Sequence, residues 1–163
     1  MNATSGIENK MLSWDQLSER LNDWRADGDE IVFTNGCFDV FHFGHASLLQ
    51  WACLLADRLI VGINSDQSAT TIKQPPMFGQ HARSFVIASL QVVDAVVRFD
   101  ETTPLNLVKH VRPDVLVKGG DYAKKLIVGA AEVTSWGGRV ALAPYIDGFS
   151  SSSIRNHDSS EAS

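Results

Sequence analysis

The chain of 163 residues has only two cysteines, Cys37 and Cys53. That is too few for a disulfide scaffold and suits a reducing compartment. Basic residues are also in deficit, 14 against 19 acidic ones, for a formal net charge of -5 at pH 7. Nonspecific nucleic-acid binders normally show a basic surface, so that class is disfavoured, although a local cationic pocket is not. No apolar run approaches the ~20 residues needed to span a bilayer. The opening MNATSGIENK has no apolar core of the kind a secretory signal needs. A cytoplasmic protein with neither membrane nor nucleic acid as partner is expected. Internal repeats and long linkers are missing too, which argues against a second domain.

What is present is ordinary for a globular chain, 44% hydrophobic and 20% charged. A chain of this length can bury roughly 70% of its unfolded surface. Residues 1–11 read as a flexible lead, 12–157 as a single domain and 158–163 as a polar tail. SWDQLSERLNDWRADG predicts a helix, with Ser13 and Gln16 at capping-box spacing and Leu17, Leu21 and Trp24 on one face. Apolar runs at 31–35, 58–64, 94–99, 114–120 and 139–144 read as strands. Helices are expected between them, at 45–56, 81–91, from Thr103 as N-cap with Pro104 at the first position, and at about 129–136, with a last one beginning in SSSSIRNH.

Alternating strands and helices predict an α/β fold: three layers, doubly wound, around a parallel sheet of about five strands. Right-handed crossovers gather the strand-to-helix loops on the sheet's carboxyl edge, where such folds bind ligands. NGCFDVFHFGH, NSDQS, KGGDY and DGFSSSS are therefore expected around one crevice.

FTNGCFDVFHFGHASLL, residues 33–49, places His42 and His45 three apart, with Gly44 between, where a strand gives way to a helix. Free N–H groups and the positive dipole end of a helix attract phosphate there. Gly44 would admit a phosphate close to the backbone. Histidines can donate to its oxygens and, with an ordinary pKa near 6.5, can carry charge while doing so. Zinc would need further paired ligands, and the spacing of Cys37 and Cys53 does not supply them. Simple helix capping is the bland alternative.

TNGCFDVFHFGH resembles the signature of the nucleotidyltransferases typified by glycerol-3-phosphate cytidylyltransferase and heptose 1-phosphate adenylyltransferase. Further motifs follow in order. Arg83, Leu90, Val93 and Asp94 resemble the family's R-x-x-x-x-x-x-L-x-x-V-D element, and GFSSSSIR resembles its S-T-T-x-I element with serines for threonines. LVKGGDYAKKLIVGAAEVTSWGG and NSDQSATTIK are similar to the heptose branch. QPPMFGQHAR departs from it, and with it the usual loop beside the acceptor. The resemblance spans about residues 12–154.

The resemblance implies a Rossmann-like nucleotidyltransferase fold and transfer of AMP from ATP to a sugar 1-phosphate, a heptose in the nearest branch, with release of pyrophosphate. CTP-dependent transfer to an alditol phosphate, or a silent nucleotide-binding subunit, are the alternatives. His42, His45 and Lys118 are expected to be catalytic. Thr34, Asn35, Gly36, Cys37, Phe38, Gly44, Arg83, Ser151 and Ser152 would hold the nucleotide. Asp39, Asn64, Asp66, Lys73, Gly120 and Asp121 would hold the acceptor. Mg²⁺ would accompany the triphosphate, held mostly by phosphate oxygens and water. A separate sugar kinase would supply the acceptor, and a homodimer is possible in this family.

Overall fold

The computed structural model describes residues 3–72, 74–119, 127–144 and 146. The chain runs through α1 (Ala3–Glu8), β1 (Met11–Leu12), α2 (Trp14–Ala26), β2 (Ile31–Gly36), α3 (Phe43–Ala52), β3 (Arg58–Asn64) and α4 (Asp66–Ile72). It continues through α5 (Gln80–Ala88), β4 (Ala95–Phe99), α6 (Leu105–Val111), β5 (Val115–Gly119), α7 (Ala130–Ser135) and β6 (Arg139–Ala143). The strands form one sheet in the order β1-β4-β3-β2-β5-β6, and every pairing is parallel.

The sheet has six strands rather than five. The additional one straddles the end of the expected flexible lead, residues 1–11: Met11 and Leu12 pair with Val96 and Val97 of β4. Two residues are too few to show a period. Ile7 of α1 and Met11 pack against the core beside α5.

Strand alternation makes the layers. Ile31 and Phe33 of β2 face Leu17, Leu21 and Trp24 of α2, together with Leu107, Val108 and Val111 of α6 and Val133 of α7. Val32 faces the other way, toward Leu49 and Ala52 of α3 and Ile87 and Ala88 of α5. Successive side chains of a strand point to opposite faces, so each face buries its own helical layer. The doubly wound, three-layer arrangement follows.

Helix starts are where local chemistry departs from expectation. The Ser13–Gln16 capping box forms in both directions. Thr103, however, is not a cap: α6 begins at Leu105 with Pro104 as its N-cap and no side-chain cap bond. α3 begins two residues earlier than read, which makes His42 its N-cap and puts His45 in its first turn. α4 covers a segment read as a loop, because DQSATTI offers no apolar stripe.

The topology positions the site. β3 and β4 lie on one side of β2, and β5 and β6 on the other. β2 stays paired with β3 as far as Gly36↔Ile63. Its pairing with β5 is confined to Val32↔Val115 and Phe33↔Leu116. Beyond that register β2 and β5 share no further ladder pairing, and it is there that strand order reverses, the place where such folds bind ligands.

Candidate functional site

Successive residues of β2 reach across to β5. The Thr34 hydroxyl donates to the Val117 carbonyl at 3.0 Å. One residue on, the Asn35 Oδ1 accepts from Lys118 Nζ. Burial lowers the Lys118 pKa to about 8. After Gly36 the chain turns through Phe38, whose φ of 50° is left-handed. That is an uncommon conformation for a large side chain, and here the ring is buried beneath the turn.

The turn delivers His42 as the N-cap of α3, where its Nδ1 accepts from the Gly44 amide at 3.1 Å. The ring's proton is thereby assigned to Nε2. It also means that the Gly44 amide, expected to face a phosphate, bonds the histidine in this state. His45 follows in the first turn and stacks on His42, 3.8 Å between centroids. Phe38 meets His45 edge-on at 5.1 Å, and Phe41 lies at 5.8 Å. The His45 Nδ1 is shut from solvent and finds no partner at hydrogen-bond geometry among the described residues. Its pKa falls to about 4, through burial first and His42 second, with the Val40 backbone opposing. Burial also lowers that of His42.

Arg83, expected to hold the nucleotide, bonds protein groups at all three of its nitrogens. Its side chain is fully buried. Nε donates to the Phe78 carbonyl at 2.9 Å and Nη1 to the Cys37 carbonyl at 2.6 Å. Nη2 donates to the Asn64 carbonyl and to Asp66 Oδ1, both at 2.8 Å. A guanidinium so engaged has little left for a nucleotide.

Three of the expected acceptor residues join the same network. Asp39 Oδ1 accepts from the Phe78 amide at 2.9 Å. The Asn64 side-chain amide donates to the Ser68 hydroxyl at 2.9 Å. The Asp66 amide donates to Gln80 Oε1. Burial alone would raise the Asp66 pKa, but bonds from Arg83 and at Gln80, with the charges of Arg83 and Arg98, leave it lowered.

The structure therefore gathers Thr34, Asn35, Gly36, Phe38, His42, Gly44, His45 and Lys118 around the carboxyl ends of β2 and β5. Asp39, Asn64, Asp66, Arg83 and the Cys37 carbonyl form an adjoining network. Lys73, Gly120, Asp121, Ser151 and Ser152 lie outside the described residues, as does the helix expected from SSSSIRNH. Phe78 and Gln80 were missed. Phe78 acts through its main chain, which leaves no mark on the sequence, whereas Gln80 follows Gly79 at a helix start and could have been suspected.

Among the described residues, no group of three or more His, Cys, Asp or Glu side chains gathers in a way that could hold a metal ion. Nor is any described helix long and apolar enough to cross a membrane.

Residues 33–157 match the family described as Cytidylyltransferase-like. The chain is 50% identical over 147 residues to the Bifunctional protein HldE of Koribacter versatilis (strain Ellin345), covering 89% of this chain and 30% of that protein. It is 47% identical over 147 residues to the Bifunctional protein HldE of Methylobacillus flagellatus, with the same coverage of 89% and 30%. The chain thus spans about 30% of the length of these curated relatives. Among solved structures, it superposes on a lipopolysaccharide core biosynthesis protein from Thermoplasma volcanium GSS1 with a TM-score of 0.66 at 26% identity, over 74% of this chain and 100% of that one. A pantoate-beta-alanine ligase from Francisella tularensis gives a TM-score of 0.63 at 16% identity, over 91% of this chain and 76% of that one, a likeness of fold.

Proposed function

The chain belongs to the cytidylyltransferase-like family, and from that premise we propose that it transfers AMP from ATP to a sugar 1-phosphate, a heptose 1-phosphate in particular, and releases pyrophosphate. The observation that carries this reading is the stacked His42–His45 pair at the N-terminus of α3. It stands at the switch point of the sheet, across from β5, whose penultimate residue is Lys118. The similarity to proteins named HldE supports the sugar-phosphate branch.

In the proposed reaction an oxygen of the acceptor phosphate attacks the α-phosphorus of ATP in line. The bond from that phosphorus to the bridging oxygen of the β-phosphate breaks, and pyrophosphate leaves with the electron pair. The acceptor phosphate is already ionised, so no side chain need serve as nucleophile, and Cys37 has no catalytic task. The protein's part is positioning and electrostatic stabilisation. The His42 Nε2–H, fixed by the Nδ1 bond to Gly44, would donate to a phosphate oxygen. His45 would do the same from the adjoining ring, and Lys118 would offset the charge of two meeting phosphates. Lys73, Gly120, Asp121, Ser151 and Ser152 retain the roles that the motifs imply.

Mg²⁺ would accompany ATP as part of the substrate, held mostly by phosphate oxygens and water, while the protein's fixed groups act on the phosphates. A kinase acting on the free sugar phosphate or sugar would supply the acceptor, as a separate activity in a cytoplasmic setting.

The test is pyrophosphate release, with ATP and CTP crossed against heptose 1-phosphate and glycerol 3-phosphate. Turnover with ATP and the heptose is expected. Turnover only with CTP and glycerol 3-phosphate would overturn both substrate assignments. Tight ATP binding with no turnover for any sugar phosphate would overturn catalysis itself.

A further inference from the structure

Arg83 is the largest fully buried side chain among the described residues. Burying a guanidinium is costly, and an apolar side chain of similar volume would often serve packing as well or better. The four bonds of Arg83 run to three segments that meet at the sheet's carboxyl edge. Cys37 begins the loop that leads to the histidines, Asn64 and Asp66 close β3 and open α4, and Phe78 lies in the divergent segment before α5. Phe78 is held from both sides. Its carbonyl accepts from Arg83 Nε and its amide donates to Asp39 Oδ1, each at 2.9 Å. The side chains carried by this pinned stretch stay open, Met77 at 60% and Phe78 at 50% exposure.

We propose that Arg83, with Asp39, is a positioning residue: it fixes segment 74–79 as a rigid wall against the histidine loop and selects the acceptor through that wall, without touching the nucleotide. The inference rests on the nucleotidyltransferase reading and deepens it. The planar fork of arginine can hold three loop segments in one plane of donors, and a lysine at the same place cannot. The distinctive sequence of 74–79 then matters because its backbone is fixed. A mobile segment would present Met77 and Phe78 in many positions and could discriminate little by shape.

The experiment compares the full chain with Arg83→Lys and Asp66→Asn in three measurements: hydrogen exchange by mass spectrometry, ATP binding by calorimetry, and acceptor kinetics. For Arg83→Lys, exchange should accelerate together in peptides covering 37–42, 64–67 and 76–80. Acceptor kcat/KM should fall about 10²-fold, the scale of a ~1 Å misplacement, and the ATP Kd should stay within about threefold. Asp66 is 48% exposed, so Asp66→Asn should fold and shift the same quantities less. ATP binding weakened more than about tenfold with exchange unchanged would overturn the proposal and make Arg83 a nucleotide ligand. If Arg83→Lys does not fold, Asp66→Asn decides: unchanged exchange in the three segments sinks the tie. The exchange readout needs no turnover, so failure of this inference is separable from failure of the catalytic reading.

Discussion

The imidazole rings of His42 and His45 lie face to face, 3.8 Å between centroids and 23° from parallel. Rings this close disfavour a second proton, and burial disfavours the first. Both pKa values are accordingly below the ordinary value of 6.5. The ligand-free pair is neutral at pH 7, with one donor aimed by the Gly44 bond. A triphosphate beside it would reverse the balance, because an anion within hydrogen-bond reach favours the charged ring.

ATP binding should therefore take up protons. Calorimetry at pH 6.5 in two buffers of different ionisation enthalpy should give different apparent enthalpies, the difference reporting the protons bound. His45→Gln should reduce it. Equal enthalpies in both buffers for the wild type would remove the pair from phosphate binding or show that it binds as neutral donors only.

The same shift makes a stability prediction. With the His45 pKa at about 4 in the folded chain against an ordinary 6.5, the unfolded chain binds more protons between those values. Stability contributed by the neutral ring is complete above about pH 6.5 and is lost as pH falls toward 4. Melting temperature should decline across that window, less steeply in His45→Gln. Parallel declines in both proteins would place the acid sensitivity elsewhere.

Replacing either histidine tests the chemistry directly. Removing one preorganised donor costs on the order of 10²–10³ in kcat, and that loss is expected for His42→Ala and for His45→Ala with cooperative melting retained. Wild-type turnover in both variants would end the assignment.

What the sequence disclosed and what it concealed divide along physical lines. Buried parallel strands read as apolar runs, so β2 through β6 were visible, and β1, with two residues, was not. The placing of the histidines was legible because a strand, a glycine and a helix start coincide at that motif. Asp39, Asp66 and Arg83 were legible as polar residues near the site, but not in direction. Their partners include main-chain atoms far along the chain, such as Cys37, 46 residues from Arg83. Spacing carries no record of such bonds, so the ties these residues make between loops could not be read from it.

Gly62 of β3 pairs with Asn35 of β2, and its neighbours leave little room for a methyl group. A Cβ there would stand 2.9 Å from the Phe33 ring, 3.0 Å from Leu107 and 3.2 Å from the Asn35 Cβ. Gly62→Ala should cost about 1–3 kcal/mol by overpacking, read as a drop of several degrees in Tm. Because Asn35 is one of the crowded groups, the Lys118 bond should be displaced and turnover should fall as well. An unchanged Tm would show that β3 can shift to accommodate the methyl.

Lys118 offers a test at alkaline pH. Its proposed task requires the ammonium, yet burial lowers its pKa from 10.5 to about 8. In the ligand-free enzyme, kcat/KM for ATP should fall above about pH 8 with a single ionisation. Folding stability should move the other way. Between 8 and 10.5 the unfolded chain holds the proton that the folded chain has released, so the penalty of burying the charge fades and stability from this group rises with pH. Lys118→Arg, charged throughout this range, should shed both effects while keeping part of the turnover. A flat kcat/KM profile from pH 7 to beyond the Lys118 titration would mean that the amine is held charged by a group outside the described residues or acts without its charge. Opposed slopes of activity and stability in one variant-sensitive window are hard to obtain from any residue other than one buried, ionisable and catalytic at once.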